Sequence, residues 1–149
     1  MSVPYSAEHV AGLVIARCEA NGEKLSHRKL QAVMYFVQTQ FVMEDSEVCF
    51  KNPIYVDEKG PYIREIENRL ADYPEGLVPY EILTERFPFD KKLDPHSMAV
   101  MNRAVDAAAS LPENELIRVA ANQLPYRKAL LTDSKKILVS DIKKFFGKT

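Results

Sequence analysis

Three histidines, His9, His27 and His96, are the imidazole groups that this sequence offers for acid–base chemistry. A catalytic nucleophile needs such a base within hydrogen-bond reach, and Ser26 beside His27 is the candidate pair. Adjacent residues at the start of a helix point in different directions, and Ser26 is well placed to cap the helix that follows. We therefore predict no catalytic residues and a protein that is not an enzyme, with a small enzyme carrying an unfamiliar histidine site as an open alternative.

The sequence contains no recognisable phosphate-binding or metal-binding motif. Neither GxxxxGK[ST] nor GxGxxG occurs, and five glycines give few places where the backbone can approach a phosphate. Glu44, Asp45 and Glu47 could ligate a hard metal ion, but no EF-hand spacing follows, and such a run is typical of a solvated corner. Cys18 and Cys49 lack the paired spacing of a zinc or redox site, which favours small buried apolar roles. We expect no cofactor and no metal.

Lysines close to the C-terminus are the feature that most favours nucleic-acid binding. These lysines are Lys135, Lys136, Lys143 and Lys144, and they lie close to Phe145 and Phe146 in the sequence. The two phenylalanines fall at helical core spacing, and the lysines surround them as a solvated face would. The formal net charge is −1, so nucleic acid is not the expected partner. A DNA-binding or transcription-linked regulatory module stays open as an alternative function.

Charge is distributed unevenly along the chain. Residues 44–81 contain ten acidic and four basic residues, a net charge of −6, whereas residues 127–149 contain seven basic and two acidic residues, a net charge of +5. We expect the two segments to be neighbours in space and to neutralise each other in part. The alternative is that one of them meets a charged partner.

Length and composition predict one domain over residues 1–149. The chain has 149 residues, of which 46% are hydrophobic and 28% are charged, values that are ordinary for a globular protein. The opening "MSVPYSAEHV" lacks a basic segment followed by an apolar one, and nowhere do ~18 apolar residues run together. We expect a cytoplasmic protein that does not enter a membrane.

Helical spacing dominates the first third of the chain. Ser6 is expected to cap a first helix, which ends at "NGE" (21–23). Ser26 is expected to cap a second helix from His27 to Met43, with Leu25 and Leu30 forming a hydrophobic staple. The apolar stripes of these helices consist of Val10, Leu13, Val14 and Cys18, and of Leu30, Val33 or Met34, Val37 and Phe41. Tyr35 and Gln38 are expected on a flank of the second helix, where their polar ends can find partners.

The middle of the chain predicts a small sheet. "EVCFKNPIYV" (47–56) is rich in β-branched and aromatic residues and is broken by Asn52-Pro53, which indicates two short strands or one bent edge strand. Gly60 permits a turn, and Pro61 is suited to the first turn of a helix continued by Ile63, Ile66 and Leu70. A strand over 135–139 is expected to pair with 54–56.

The second half returns to helical patterns. Short helices are predicted over 81–87, 113–122 and 126–131, and a longer one begins with Asp94 as its cap and Pro95 at its first position. Ser140 and Asp141 are expected to cap a last helix that carries Ile142, Phe145 and Phe146. The predicted fold class is α+β, predominantly α-helical: a compact helical domain with a small antiparallel β-sheet.

One stretch resembles a known family. "LSHRKLQAVMYFVQTQFVMEDSEVCFKNPIYVDEKGPYIREI" is similar to the core signature of the Panacea domain, the SocA-like antitoxin family of bacteria and their phages, in which a "KLQKLLYF"-like helix precedes a "GP" turn. The matching positions are Lys29, Leu30, Gln31, Tyr35, Phe36, Phe50, Ile54, Gly60, Pro61 and Ile66. A weaker likeness continues through "ENELIRVAANQLPYRKAL" and "KILVSDIKKFF". The chain departs from the pattern at Ala32, where a second lysine is common, and at Tyr55 and Tyr126, where tryptophan is common.

The resemblance implies a function without catalysis. Such a protein neutralises a cognate protein toxin by direct binding, or delivers it as an adaptor to an AAA+ protease. We predict partner-binding roles for Tyr35, Lys59, Tyr62 and Arg64, since aromatic and arginine anchors carry most of the affinity of an interface. Lys29, Leu30, Gln31, Gly60 and Pro61 form the structural motif. Tyr35 has an alternative role as a half-buried core tyrosine with a satisfied hydroxyl.

Overall fold

The computed structural model describes residues 4–146, and within that range the chain forms eight helices and one two-stranded sheet. The fold is therefore α+β and predominantly helical with a small antiparallel sheet, which confirms the predicted fold class. The elements are α1 (Ala7–Ala20), α2 (His27–Asp45), β1 (Tyr55–Asp57), β2 (Gly60–Tyr62), α3 (Arg64–Arg69), α4 (Tyr80–Arg86), α5 (Pro95–Ala109), α6 (Glu113–Ala121), α7 (Leu124–Leu130) and α8 (Val139–Phe146). None of these helices has the length and apolar character needed to cross a bilayer.

Helix α2 lies at the centre of the fold. Helices α1, α5, α6 and α8 and strand β2 all pack against it. Its predicted apolar stripe is fully buried, and burial extends to the polar side chains of Gln31, Gln38 and Thr39. A helix that is covered on most sides forms the core of its domain rather than one wall of it.

Side-chain caps fix the starts of the three long helices where the sequence predicts them. Ser6 Oγ accepts a hydrogen bond from the His9 N–H at 3.2 Å, and Ser26 Oγ accepts one from the Lys29 N–H at 3.0 Å. Asp94 Oδ2 accepts one from the Ser97 N–H at 3.1 Å. Each cap satisfies an N–H group that has no partner within its own helix.

Two short helices start earlier than predicted. Helix α7 begins at Leu124 instead of Tyr126, with Pro125 in its first turn. Helix α8 begins at Val139, so Ser140 and Asp141 lie inside the helix and do not cap it. The carbonyl of Leu138 already accepts hydrogen bonds from the N–H groups of Asp141 and Ile142, so the helix begins one residue before Ser140, the predicted cap.

The sheet is a hairpin, and its position corrects two predictions. Strand β1 pairs with β2 in the register Tyr55–Tyr62, Val56–Pro61 and Asp57–Gly60. Of the two predicted alternatives for 47–56, the single bent strand is wrong: the part before Asn52-Pro53 contributes only a bridge between Tyr5 and Phe50, and the part after it contributes the start of β1. Pro61 does not start a helix but lies in β2, and α3 begins three residues later at Arg64.

Pro61 fits in β2 because of the way Val56 is hydrogen-bonded. The Val56 N–H donates to the Lys135 carbonyl at 2.9 Å, on the side of β1 away from β2. The Val56–Pro61 pair is thus one that exchanges no backbone hydrogen bonds. A proline, which has no N–H to donate, costs nothing at such a position.

Residues near 136 add a partial third strand. The Ile137 N–H donates to the Ile54 carbonyl at 2.8 Å, and Tyr55 and Lys136 form an isolated antiparallel bridge. The predicted pairing of this segment with 54–56 is confirmed, but the predicted strand over 135–139 shrinks to one bridge. Lys135 has φ of +56°, outside the range of a strand, and α8 starts at Val139.

Two glutamines of α2 bind the backbone of the segment between α2 and α3. Gln38 Oε1 accepts hydrogen bonds from the N–H groups of Cys49 (2.8 Å) and Phe50 (3.3 Å), and its Nε2 donates to the Phe50 carbonyl at 2.8 Å. Gln31 Oε1 accepts from the Ile63 N–H at 2.8 Å, and its Nε2 donates to the Ile63 carbonyl at 3.2 Å. We call these two residues the glutamine clasp. They satisfy the N–H groups of Cys49, Phe50 and Ile63 and the carbonyl of Phe50, which are buried and have no partner in a helix or sheet.

Charges are paired locally rather than between the acidic and basic segments. Within residues 4–146, no ion pair joins 44–81 to the basic segment, and Lys128 pairs with Asp141 inside its own segment at 3.6 Å. The acidic segment pairs instead with α4 and α5, through Asp72–Arg86, Asp45–His96 and Glu44–Arg103. The two segments meet at the Tyr55–Lys136 bridge; Lys148 lies outside the described residues. The expected proximity of the two segments is confirmed, and among residues 4–146 no ion pair contributes to their expected partial neutralisation.

We expect Gln38→Ala to lower the free energy of unfolding by about 3 kcal/mol, because it leaves buried N–H and C=O groups of residues 49–50 without partners. Denaturant unfolding followed by circular dichroism measures the change. Gln40→Ala is the matched control: it lies on the same helix, its amide donates to the Glu44 carboxylate near the surface, and it should change stability by no more than about 0.5 kcal/mol. Equal effects of the two substitutions would contradict the clasp.

Candidate protein-binding surface

The hairpin brings together three of the four residues predicted to bind a partner. Lys59 lies in the turn between the strands, Tyr62 ends β2, and Arg64 is the first residue of α3. The Arg64 guanidinium carbon lies 3.9 Å from the centroid of the Tyr55 ring, and the Tyr55 and Tyr62 rings stack at 5.8 Å with 30° between their planes. We call Tyr55, Lys59, Tyr62 and Arg64 the hairpin face.

Strand alternation explains how this face arises. Successive side chains of a strand point to opposite sides of the sheet. Val56 and Pro61 are therefore buried, whereas Tyr55, which precedes Val56, and Tyr62, which follows Pro61, remain half-buried. Tyr55 and Tyr62 are directly opposite in the register, which places their rings in contact. Sequence reasoning missed Tyr55 as a site residue. The signal that could have identified Tyr55 is its alternation with an apolar residue, at a position about one strand length before the Gly60-Pro61 turn.

The stack orders the arginine before any partner arrives. Arg64 is exposed, yet its guanidinium lies over an aromatic ring, an arrangement worth about 0.5–1 kcal/mol at an exposed site. A stacked, planar guanidinium loses less conformational freedom when it binds than a free one does. The hairpin face can therefore offer a flat aromatic and cationic contact surface at a low entropic cost.

Several contacts hold the hairpin in place. The Tyr126 hydroxyl donates to the Asp57 carbonyl at 2.6 Å, and the Lys59 N–H donates to Asp57 Oδ1 at 2.8 Å. Gly60 has φ of +124°, and a Cβ at this position would lie 3.2 Å from Ile117 Cγ2 of α6. The clasp at Ile63 fixes the exit from β2. The turn is thus packed against α6 and α7, and it presents its other side to solvent.

Tyr35 does not belong to this surface, which corrects the predicted partner-binding role. Its side chain is fully buried, and its hydroxyl donates to Gln123 Oε1 at 2.7 Å. Burial raises the pKa of the Tyr35 hydroxyl. Tyr35 is therefore a core tyrosine whose hydroxyl has a hydrogen-bond partner, which is the alternative role given above. The flank of α2 that does reach solvent carries Phe36, Gln40 and Met43.

The residues of the predicted structural motif occupy supporting positions. Leu30 and Gln31 are buried in α2, and Pro61 is buried in β2. Lys29 keeps 12% of its side chain exposed and lies 4.0 Å from a Glu23 carboxylate oxygen. Gly60 has a positive φ and lies close to a neighbouring helix, and both features disfavour a residue that carries a Cβ.

The three histidines lie apart from one another, and the side chain of each contacts a different polar group. His9 Nε2 contacts the Lys91 carbonyl, and His96 Nε2 lies 2.9 Å from Asp45 Oδ1. His27 is buried, and Gln31 Nε2 lies 3.1 Å from its Nε2. Since the amide nitrogen can only donate, His27 Nε2 is the unprotonated nitrogen of a neutral ring. Ser26, its sequence neighbour, donates instead to a Glu113 carboxylate oxygen.

Two residues of the acidic run at the C-terminal end of α2 pair with cations. Glu44 pairs with Arg103, and Asp45 pairs with His96. In the described part of the chain, no three His, Cys, Asp or Glu side chains converge in a way that could hold a metal ion. Cys18 and Cys49 are buried and unpaired, and burial raises the pKa of the Cys18 thiol to about 11. Their predicted role as small buried hydrophobes is confirmed.

The predicted burial of the C-terminal phenylalanines and exposure of the neighbouring lysines are only partly confirmed. Phe146 is half-buried against the core, but Phe145 keeps 46% of its surface exposed. The prediction that both belong to the core is therefore wrong for Phe145, since α8 packs through Ile142 and Phe146, four residues apart on one side of the helix. Lys143 and Lys144 are exposed, and Lys135 Nζ donates to the Leu130 carbonyl at 2.6 Å.

We expect Gly60→Ala to destabilise the protein by about 2–3 kcal/mol, because it adds backbone strain to a contact with Ile117. Gly76→Ala is the matched control: Gly76 also has a positive φ, of +79°, but nothing lies within 4 Å of its added Cβ. It should cost about 1 kcal/mol. Equal losses in denaturant unfolding would show that the approach of α6 contributes nothing.

We expect His27 and His96 to give opposite slopes of stability against pH. Burial is the main cause that lowers the pKa of His27 below its ordinary value of 6.5, and Arg28 adds to it. The unfolded chain then takes up the proton first, so stability is lost as pH falls below about 6.5. The Asp45 carboxylate raises the pKa of His96, so its contribution is complete below about pH 6.5 and is lost as pH rises through the raised value.

The measurement compares the free energy of unfolding at several pH values for His27→Gln and His96→Gln. The first substitution should flatten the loss of stability on acidification, and the second should steepen it. The slope is the observable, so a constant loss of stability from either substitution does not affect the result. A His27→Gln curve parallel to that of the unchanged protein would contradict the assignment.

Comparison with known proteins adds no relative from which a role could be transferred. No protein-family model, no curated protein and no solved structure matches this chain. The hairpin face is therefore judged on its own geometry: two stacked tyrosines, an ordered arginine and a lysine on a rigid turn.

Proposed function

We propose that this protein is an antitoxin-like protein that neutralises a cognate protein toxin in the cytoplasm by direct binding, without catalysis, and that the hairpin face is the centre of the contact. The observation that carries the proposal is the exposed Arg64 stacked on Tyr55 beside Tyr62. The likeness of residues 25–66 to the Panacea signature supports the toxin as the class of partner.

The composition of the hairpin face is that of an interface hot spot. Tyrosine and arginine are among the residues that contribute most when a protein interface is formed, especially where neighbouring contacts exclude water. Tyr55 and Tyr62 are already half-buried, so little further desolvation is needed to cover them. Lys59, which keeps 48% of its side chain exposed, lies at the rim, where a charge affects the association rate more than the affinity.

The hairpin face is smaller than a complete interface. A stable protein complex buries about 800 Å2 on each partner, which is more than one hairpin provides. The contact must therefore continue onto neighbouring elements, and α6 and the loop before α4 are adjacent to the turn through Ile117 and Glu75. The toxin is either held inactive in this complex or delivered from it to an AAA+ protease.

The test co-expresses the tagged protein with the neighbouring reading frame, recovers the complex and measures growth. We expect a stoichiometric partner that is toxic when expressed alone and harmless with this chain. Arg64→Ala and Tyr62→Ala should each weaken the complex by about tenfold or more, because each removes an anchor of the contact. Recovery of a protease together with the toxin, and faster loss of the toxin in cells, would identify the delivery mode.

Arg103→Ala is the matched control for Arg64→Ala. Arg103 is also an exposed arginine, and it pairs with Glu44, which lies about 20 Å along α2 from the clasp at Gln31. Circular dichroism and thermal unfolding confirm that each variant remains folded. A complex that is weakened equally by all three substitutions would place the contact elsewhere, and growth rescue from no neighbouring protein would remove the proposal.

A further inference from the structure

A recess of about 220 Å3 lies between the segment that precedes β1 and the chain around residues 136–142. We call it the apolar recess, because most of its lining is aliphatic or aromatic. The buried members of that lining include Phe50, Ile54, Ile137 and Ile142. Leu138 and Val139 also line it, although 47% and 41% of their surfaces are exposed. Large aliphatic side chains that remain exposed beside a concave apolar surface are typical of an interaction site.

The uncharged polar side chains in the described lining, Gln38 and Asn52, already have hydrogen-bond partners. Gln38 uses its amide in the glutamine clasp. Asn52 Oδ1 accepts a hydrogen bond from the Ala7 N–H at 2.9 Å, and its Nδ2 donates to Glu8 Oε1 at 3.4 Å. An occupant of the apolar recess therefore meets apolar surface rather than free amide groups.

Lys51 and Lys136 give the apolar recess its charge. Both side chains are exposed and belong to the lining. Within residues 4–146, neither lysine has an ion-pair partner. The described lining contains no acidic residue, so its net charge is +2.

Acidic residues that adjoin the lining do not cancel this charge. Glu8 pairs with Arg69, and Asp141 pairs with Lys128. Glu47 directly precedes a lining residue but is not part of the lining itself, and its single charge would leave the net charge positive. The complement of the apolar recess is therefore an apolar group with a negative charge beside it.

The apolar recess adjoins the hairpin face. Lys136 and Tyr55 form an antiparallel bridge, and residues directly opposite each other in such a bridge have their side chains on the same side of the sheet. Tyr55 stacks with Tyr62 on that side, so Lys136 continues the row of exposed side chains towards the recess. A protein bound over the two tyrosines is therefore well placed to fill it.

We propose that the apolar recess receives one apolar side chain of the protein partner, and that Lys51 and Lys136 attract a carboxylate next to that side chain. This inference rests on the proposed function, because it names the chemistry of the segment that the partner presents. The volume is about seven times the ~30 Å3 that one water molecule occupies in the liquid, which suits a leucine, methionine or phenylalanine side chain. It is below the ~300–1,000 Å3 of sites for drug-sized molecules.

The lining is less suited to two other anionic partners. Single-stranded nucleic acid stacks its bases on accessible aromatic rings, and Phe50, the aromatic residue of the described lining, is buried. An anionic membrane takes up an apolar face that is pressed into it, whereas the apolar surface here is concave. A protein segment provides both a side chain that enters the recess and a carboxylate beside it.

The first experiment needs no toxin. The probe is a capped Glu-Leu-Glu tripeptide, titrated to millimolar concentration at low ionic strength into protein with 13C-labelled methyl groups. Gln-Leu-Gln and Glu-Ala-Glu are the matched peptides. We expect the methyl signals of Ile54, Leu138 and Ile142 to shift with Glu-Leu-Glu, and to shift about threefold less or weaker still with either matched peptide. No shift with Glu-Leu-Glu, or equal shifts with a matched peptide, would overturn the proposal.

Exposed residues allow substitutions that leave the core intact, which circular dichroism confirms. Lys136→Gln should weaken binding of the peptide about threefold, and Leu138→Ala about fivefold. Lys92→Gln and Leu131→Ala are the matched controls, because both residues are exposed and neither belongs to the described lining; they should leave the affinity unchanged. Vesicles of phosphatidylglycerol and phosphatidylcholine should not bind. Vesicle binding that is lost in Lys136→Gln and Leu138→Ala would assign this surface to a membrane and overturn the proposal.

The second experiment uses the complex itself. Lys136→Gln and Leu138→Ala combined should weaken binding of the toxin by about tenfold or more, whereas Lys92→Gln and Leu131→Ala combined should leave it unchanged. If Arg64→Ala disrupts the complex but the substitutions in the recess do not, this inference is wrong and the proposed function stands. If the Glu-Leu-Glu peptide binds in the recess but no toxin is recovered, the recess stands as a site for such a segment and the proposed function fails.

Discussion

The glutamine clasp is the interaction on which the rest of this structure depends. Between α2 and α3 the chain runs for eighteen residues with a sheet of only three residues per strand, too little to satisfy its own buried backbone groups. Gln38 provides partners at residues 49 and 50, and Gln31 provides them at residue 63. Because a buried peptide group without a partner costs about 1–3 kcal/mol, the clasp decides the path that this segment takes across α2.

The clasp also determines which side of the hairpin reaches solvent. With Ile63 fixed to α2, Val56 and Pro61 face the core, and Tyr55 and Tyr62 must face outwards. Arg64 follows directly as the first residue of α3 and stacks on Tyr55. The candidate contact surface is therefore positioned by α2.

Electrostatics in this protein is organised by short-range pairs. The chain is nearly neutral overall, and three carboxylates of its acidic segment pair with arginines and a histidine from α4 and α5. Most of these pairs are exposed and contribute little to stability.

The sequence by itself determined what depends on neighbours along the chain. The caps at Ser6, Ser26 and Asp94, the helical stripes, the Gly60 turn and the fold class all follow from local hydrogen bonding and side-chain periodicity, and Lys59, Tyr62 and Arg64 cluster because they are close in sequence. Tertiary structure decided the rest. Tyr35 is buried because Gln123, eighty-eight residues later, covers its hydroxyl, and Pro61 is in a strand because Val56 is hydrogen-bonded to Lys135. No local pattern records contacts between residues so far apart in the chain.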